Sequence, residues 1–323
     1  MTSIPQIGDP TLDAMNAQIA NRPAKYSTYL GMGAVGEECE RKLWYQFRRV
    51  APAIFSAKTL KGFDDGHATE ALVVTRLKAV PGIELLDKDP NTSEQWKFLD
   101  FQGHFMGFAD GKISGLLQAP KTEHAFEVKC SAKWTDLDKS KKKVGEKLAL
   151  ADWNAGYYAQ AVLYMDYADL GRHYLVCASP GGREETSVRT DADPAHAERL
   201  REKAKRVIYS SAPLPKIGGP DNYHCKKFGK CTFYDICHNA GPAERNCRTC
   251  LHSSVADEGK WLCEKHGHLM KPKEQSGCDD HLYLPGIVPG EQIDAGADWV
   301  EYRINGEIWR DGPSTKTIPA KGD

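Results

Sequence analysis

The sequence predicts an α/β protein, a mixed central sheet flanked by helices, with a short cysteine-rich segment towards the C-terminus. Three observations predict it. Helical and β-like patterns succeed one another as helix, strands, helix, strand, the order of a layered α/β domain. Seven of the ten cysteines fall between Cys225 and Cys278. A chain of 323 residues, 41% of them hydrophobic, has apolar material for one large domain or for a medium domain plus a small one.

The elements follow in order. Residues 10–19 read as a short helix before a loop at Asn21-Arg22-Pro23. Helix formers dominate residues 37–50, with Leu43 and Phe47 on one face. A second helix begins near Phe63 and runs through Leu77 until Pro81-Gly82 stops it. β-like runs occupy residues 83–86, 96–101, 104–113 and 125–130. One long helix is expected over residues 149–168, then a buried strand at 173–178 and a charged helix at 195–209. Past residue 240 the chain is loop-rich and punctuated by cysteine, and no ordinary apolar core is expected there. In the tail, Asn305-Gly306 between two alternating runs is a hairpin signal. The expected units are residues 1–240, 241–290 and 291–323.

Composition narrows the function classes. A net charge of -1 gives no global argument for nucleic acid, and the local basic runs at 139–143 and 199–206 read as a solvated loop and a solvated helix face. There is no apolar run near the ~18 residues that span a bilayer. Residues 1–20 lack the basic-then-apolar order of a secretory signal. The expectation is a cytoplasmic protein of a prokaryotic cell with no membrane partner, in which ten cysteines point to metal rather than disulfides.

Gly31-Met32-Gly33-Ala34-Val35-Gly36 spells the dinucleotide fingerprint G-x-G-x-x-G. That fingerprint works only between a hydrophobic strand and a helix, with an acidic residue on a second strand about 20 residues on. Here the preceding run is short and follows Pro23, and residues 53–64 offer no such strand. The glycines therefore read as a flexible lead-in to a helix.

A sharper pattern lies in Ala125-Phe126-Glu127-Val128-Lys129-Cys130. In a strand Glu127 and Lys129 share a face, about 7 Å apart. Asp110 ends an earlier β-like run, and pairing the two strands sets it beside Glu127. Two adjacent carboxylates resist joint ionisation unless a cation neutralises them, and Mg²⁺ or Mn²⁺ does so. Such an ion polarises a phosphoryl oxygen, while a nearby lysine steadies developing negative charge. By itself the set also fits a strand with surface charges. Two helical patterns accompany it: His67 and Glu70 one turn apart, and a stripe of Trp153, Tyr157, Gln160 and Tyr164.

His67, Asp110, Glu127-Val128-Lys129 and Gln160…Tyr164, in this order over residues 36–240, resemble the PD-(D/E)xK nucleases of the RecB branch. Ala109 stands where that name has proline. The resemblance implies a restriction-endonuclease-like core in which His67, Asp110, Glu127 and the Val128 carbonyl hold Mg²⁺ or Mn²⁺. It makes Lys129 the catalytic lysine and sets Gln160 and Tyr164 at the site, near DNA. Glu70 is read as structural or as a ligand through water, and Arg41 as a DNA contact.

Cys225, Cys231 and Cys237 leave a tetrahedral site one ligand short, and Cys39 supplies a fourth. One cysteine before the core and three after it resemble the iron–sulfur RecB-type nucleases, CRISPR-associated and AddB-type, which implies a [4Fe–4S] cluster stapling the chain ends. Cys225 stands three residues earlier than that family's spacing; Zn²⁺ is the alternative, with His224 or His238 as substitute ligands. The second group, Cys247-x-x-Cys250 with Cys263 and Cys278, suits a closed Cys₄ zinc site, with His252, His266, His268 and His281 as competing ligands. It also resembles small modules appended to bacteriophage proteins. Cys130 and Cys177 read as buried hydrophobes.

The expected activity is a metal-dependent exonuclease acting on DNA ends or single strands, phage-encoded or prokaryotic, with recombination or replication proteins as further partners. The alternative is a non-catalytic DNA- or protein-binding module that keeps the fold.

Overall fold

The structure, a computed structural model, describes residues 8–23, 27–226, 231–270, 276–313, 315 and 317–319. The first residues of the N-terminal stretch, 1–7, and Gln275 of the cysteine-rich run lie outside them. Helix α1 (Pro10–Ala20) is capped by Asp9, and a two-residue strand β1 (Leu30–Gly31) follows. Helices α2 (Glu40–Arg48) and α3 (Ala57–Lys78) come next, the second starting six residues before Phe63 because Ser56 caps it. Strands β2 (Glu84–Leu86), β3 (Trp96–Asp100), β4 (Phe105–Ala109), β5 (Gly111–Ser114) and β6 (His124–Cys130) form the next block.

The run read as one strand over 104–113 is two strands in two sheets. β4 lies between β1 and β3, whereas β5 lies between β2 and β6, and Asp110 is the joint. Alternation alone cannot register the change of sheet, because apolar residues continue on both sides of it.

The expected long helix is likewise two, α5 (Glu146–Trp153) and α6 (Ala155–Ala168), preceded by α4 (Trp134–Val144), which holds the basic run read as a loop. Asn154 breaks the helix: it is extended, and its side chain accepts from the Tyr157 amide at 3.0 Å. The three helices cross over to β7 (Arg172–Ala178), which runs parallel to β6, as a parallel pair requires. Strand β8 (Glu185–Asp191) completes a sheet of order β2-β5-β6-β7-β8, mixed in direction. The apolar side of α3 packs on the face carrying Phe126, Val128, Tyr174 and Val176, and α4–α6 cover the face carrying Leu175 and Cys177. The fold is thus mixed α/β with mixed sheets.

Helix α7 (Pro194–Tyr209) closes the core, followed by α8 (Tyr223–Lys226) and α9 (Tyr234–His238). Strands β9 (Ser253–Val255), β10 (Trp261–Cys263) and β11 (His268–Met270) make one small sheet. Strands β12 (Glu291–Ala295), β13 (Val300–Ile304) and β14 (Glu307–Asp311) make another, with Asn305 and Gly306 at positive φ in the hairpin turn. Among the described residues, the segment past 240 shares the main core. Trp261, Met270, Tyr283, Tyr302 and Ile304 join Leu43, Phe47 and Phe105 in one cluster.

Arg48 and Arg248 bind this junction. Their guanidiniums stand 4.8 and 4.9 Å from the Trp261 ring. Arg48 donates to the carbonyls of Arg248, Ser253 and Ser210, and Arg248 to those of Phe47 and Thr28. Burial lowers the pKa of Arg48 to about 10 and carries Arg248 well below the ordinary range.

Candidate active site

The register between β5 and β6 pairs Gly111 with Phe126, so Asp110 and Glu127 arrive side by side. Both are buried, 8% and 4% exposed. The Val128 amide donates to Asp110 Oδ2 at 2.8 Å, fixing one carboxylate on the backbone of the strand that carries the other. Lys129 donates to Glu127 Oε1, which also receives Gln160 Nε2 at 3.2 Å. Glu127 Oε2 is buried without a hydrogen-bond partner.

Burial, then Glu127 and Glu70, hold the Asp110 carboxyl well above the usual carboxylate range. Burial also raises Glu127, against the pull of Lys129. Burial works against the Lys129 ammonium, but Glu127 and Asp110 outweigh it, so the lysine stays charged. Its Nζ lies 5.1 Å from the centre of the Tyr157 ring. Asp110 and Glu127 share one ammonium in a buried place, and the half-buried Glu70 adds its negative charge, an excess that a hard cation would neutralise.

On helix α3, His67 is exposed, and Glu70, one turn on, adds its charge to the surroundings of Asp110 and Glu127. Sequence spacing put both on one helix face and could not say which reaches the strands.

Gln160 and Tyr164 are brought to the site by α6. The Tyr164 hydroxyl receives Gln160 Nε2 at 2.9 Å, donates to the Phe108 carbonyl at 2.8 Å and receives the Phe108 amide at 3.1 Å. Its phenol, raised far above its ordinary value by burial, stays neutral. These contacts tie α6 to β4 two residues before Asp110, which makes both side chains positioning groups. Trp153 is separated from them at the end of α5, although its ring still lies 5.4 Å from that of Tyr157.

The opening glycines serve this helix. A Cβ at Gly36 would meet Gly156 Cα at 2.7 Å, and one at Gly33 would meet Gln160 Cδ at 3.5 Å. Neither has positive φ. Gly36 is a close-packing position against α6, Gly33 is in ordinary contact with Gln160, and Gly31 is open, so at Gly36 at least the glycine serves packing and not the flexible lead-in the sequence suggests.

Cys39, Cys225, Cys231 and Cys237 line one cavity, together with Arg41, Tyr45, Phe233 and His238. Cys39 stands at the N-cap of α2, and its thiol makes no capping bond. His224, a candidate substitute ligand, pairs with Glu38 at 3.0 Å. Arg41 belongs here as well: it donates to the Leu214 carbonyl at 2.6 Å and to the Tyr45 hydroxyl at 3.2 Å. The DNA contact expected of it is not where the carboxylates are. The basic runs are largely engaged, Lys139 with Asp136, Lys142 with Asp138, Arg201 with Asp166 and Arg206 with Glu40.

No family model matches the chain, and no curated protein matches it. Solved structures do, distantly. An alkaline exonuclease from Laribacter hongkongensis is 15% identical, with 61% of this chain aligned to 90% of that one at a TM-score of 0.37. The same enzyme in complex with dAMP aligns at 14% identity over 61% and 90%, with a TM-score of 0.36. A phage-related exonuclease from Haemophilus somnus is 15% identical over 54% of this chain and 78% of that one, with a TM-score of 0.37. At this degree of likeness the chain's own geometry has to carry the functional reading. Among the described residues no helix is long and apolar enough to cross a membrane.

Proposed function

We propose that the chain is a divalent-metal-dependent DNA nuclease of the PD-(D/E)xK superfamily, RecB branch, acting as an exonuclease on ends or single strands. The observation that carries this is the buried meeting of Asp110, Glu127 and Lys129 at the joint of two sheets, with Glu127 Oε2 lacking a partner. The residues fit Mg²⁺ or Mn²⁺: Asp110, Glu127 and the Val128 carbonyl would hold it, with Glu70 in the place first given to His67. Bound there, the ion supplies charge neutralisation and Lewis-acid polarisation of a phosphoryl oxygen.

The chain's own groups do the rest. Lys129, charged and steadied by Glu127, faces the negative charge that grows on a phosphate under attack. Gln160 holds Glu127 Oε1, and Tyr164 holds Gln160, so the carboxylate keeps one orientation. Labelled single- and double-stranded DNA with Mn²⁺ or Mg²⁺ tests the reading. Glu127→Gln and Lys129→Ala are each expected to lower cleavage by at least ~100-fold without loss of fold; undiminished cleavage in either removes the assignment.

The Cys39, Cys225, Cys231 and Cys237 cavity is read as the seat of a [4Fe–4S] cluster that staples α2 to the segment after α7. Zinc bonds of about 2.3 Å would gather four sulfurs to roughly 3.8 Å. No three of these four lie within 4.8 Å of one another, so the cavity as it stands is wider than a closed zinc site. Brown protein with broad visible absorbance, lost in Cys39→Ser, is the expected result. Residues 241–290 are read as a zinc-binding unit and 291–323 as a hairpin tail.

A further inference from the structure

His266, Cys278 and Asp280 meet at the outer edge of the cysteine-rich region. Among the described residues they are the only His, Cys, Asp or Glu side chains with three ligand atoms within 4.8 Å of one another. His266 Nε2 lies 3.1 Å from Asp280 Oδ2 and 3.8 Å from Cys278 Sγ. A tetrahedral zinc with bonds of about 2.0–2.3 Å spaces its ligands roughly 3.3–3.8 Å apart. The set expected from the sequence is looser. Cys247 feels Cys278 and Cys263, and Cys250 feels Cys247 and Cys278, yet no three of those sulfurs fall within 4.8 Å.

A Cys–His–Asp relay is the other chemistry such a trio could perform. It needs the thiol on one ring nitrogen and the acid on the other. Here thiol and carboxylate both face Nε2. The sulfur and the oxygen converge on one nitrogen, so a small outward shift of the 3.1 Å His266–Asp280 pair would admit an ion among the three.

The segments that carry the trio are held in place. Gly267, at φ 64, bonds back to the Cys263 carbonyl at 2.8 Å, which turns His266 outward from β10. The Cys278 carbonyl receives the His281 amide at 3.1 Å and Arg245 Nη2 at 2.5 Å. Lys265 pairs with Asp298.

We propose that His266 Nε2, Cys278 Sγ and a carboxylate oxygen of Asp280 bind one zinc ion, with water in the fourth position. The inference rests on the zinc-binding reading of residues 241–290 and is independent of the nuclease reading. Binding releases the Cys278 thiol proton, and the ion ties the turn after β10 to the segment before Tyr283. Three chain ligands and one open position leave the ion exchangeable, unlike a closed Cys₄ centre.

Zinc retained per chain after dialysis of the full-length protein against metal-free buffer reads this out. His266→Ala and Cys278→Ser each remove one zinc per chain, and Asp280→Asn weakens retention about tenfold. The trio is exposed or half-exposed, so these variants leave the core alone. A cobalt-loaded sample gives the second measurement: the thiolate-to-cobalt band lost in Cys278→Ser has the intensity of one thiolate. Full zinc in His266→Ala, or a lost band of four thiolates' intensity, overturns the assignment. DNA cleavage is followed in the same variants, so a lost zinc with intact cleavage separates this site from the carboxylate site.

Discussion

Glu70 and His67 stand one turn apart on α3, and the charge of Glu70 acts on the carboxylate pair while His67 is exposed. Glu70→Gln is expected to lower metal-dependent cleavage roughly tenfold and to raise the Mn²⁺ concentration required, while His67→Ala changes little. A manganese titration of both variants decides between them. His173 makes a second residue-scale prediction. It is 1% exposed, both ring nitrogens lack hydrogen-bond partners, and burial drives its pKa down to about 3. The unfolded chain therefore takes up a proton below about pH 6.5 that the folded chain refuses. Stability contributed by neutral His173 is complete above that pH and falls as pH drops towards 3, by roughly 1 kcal/mol per unit. Urea unfolding at pH 7 and pH 5 should show the loss, and His173→Leu should flatten it. None of this was legible beforehand, because a histidine in an apolar run looks the same whether or not its nitrogens find partners.

At the scale of elements, α6 is the part on which the site depends most. Gly36 lies so close to Gly156 that an added methyl must push the two segments apart. Gly36→Ala should cost about 1–3 kcal/mol, read as a lower melting temperature, and should slow cleavage because α6 carries Gln160. Asn154→Ala, which removes the cap of α6, should cost about 1 kcal/mol. Much of this level could be read from sequence. The alternation of residues 125–130 gave β6 and the shared face of Glu127 and Lys129, and Asn305-Gly306 gave the β13–β14 hairpin. What escaped were the interruptions. Asn154 sits among good helix formers, and Asp110 interrupts an alternation that resumes at once, so local pattern continues where the backbone changes partner. The basic run on α4 reads as loop because its lysines mask the side of the helix that buries Leu137.

At the scale of the whole molecule, the cysteine-rich region and the α/β region share one core. His104 Nε2 meets the Ala256 carbonyl at 2.8 Å, Gln102 reaches Asp257 at 2.8 Å, and Trp261 is enclosed by Arg48 and Arg248. Trp261→Ala should cost about 3–5 kcal/mol and destabilise the α/β region with it. One unfolding transition is expected, seen alike by circular dichroism and by cleavage activity. A chain cut at residue 240 should be insoluble or inactive. Composition hid this, since short apolar runs between cysteines look too sparse for a core and reveal nothing about a neighbour's surface.

The two sheets that meet at Asp110 draw on opposite ends of the chain. β4 needs β1, and the cluster behind them needs Trp261, Tyr283 and Ile304. A nascent chain that has just delivered Glu127 and Lys129 therefore has its acids in sequence but not in place. The residues that back this edge, Trp261, Tyr283 and Ile304, are made 132, 154 and 175 residues after Lys129. Translation itself acts as a delay on activity, and the protein becomes competent only after nearly all of it has been made.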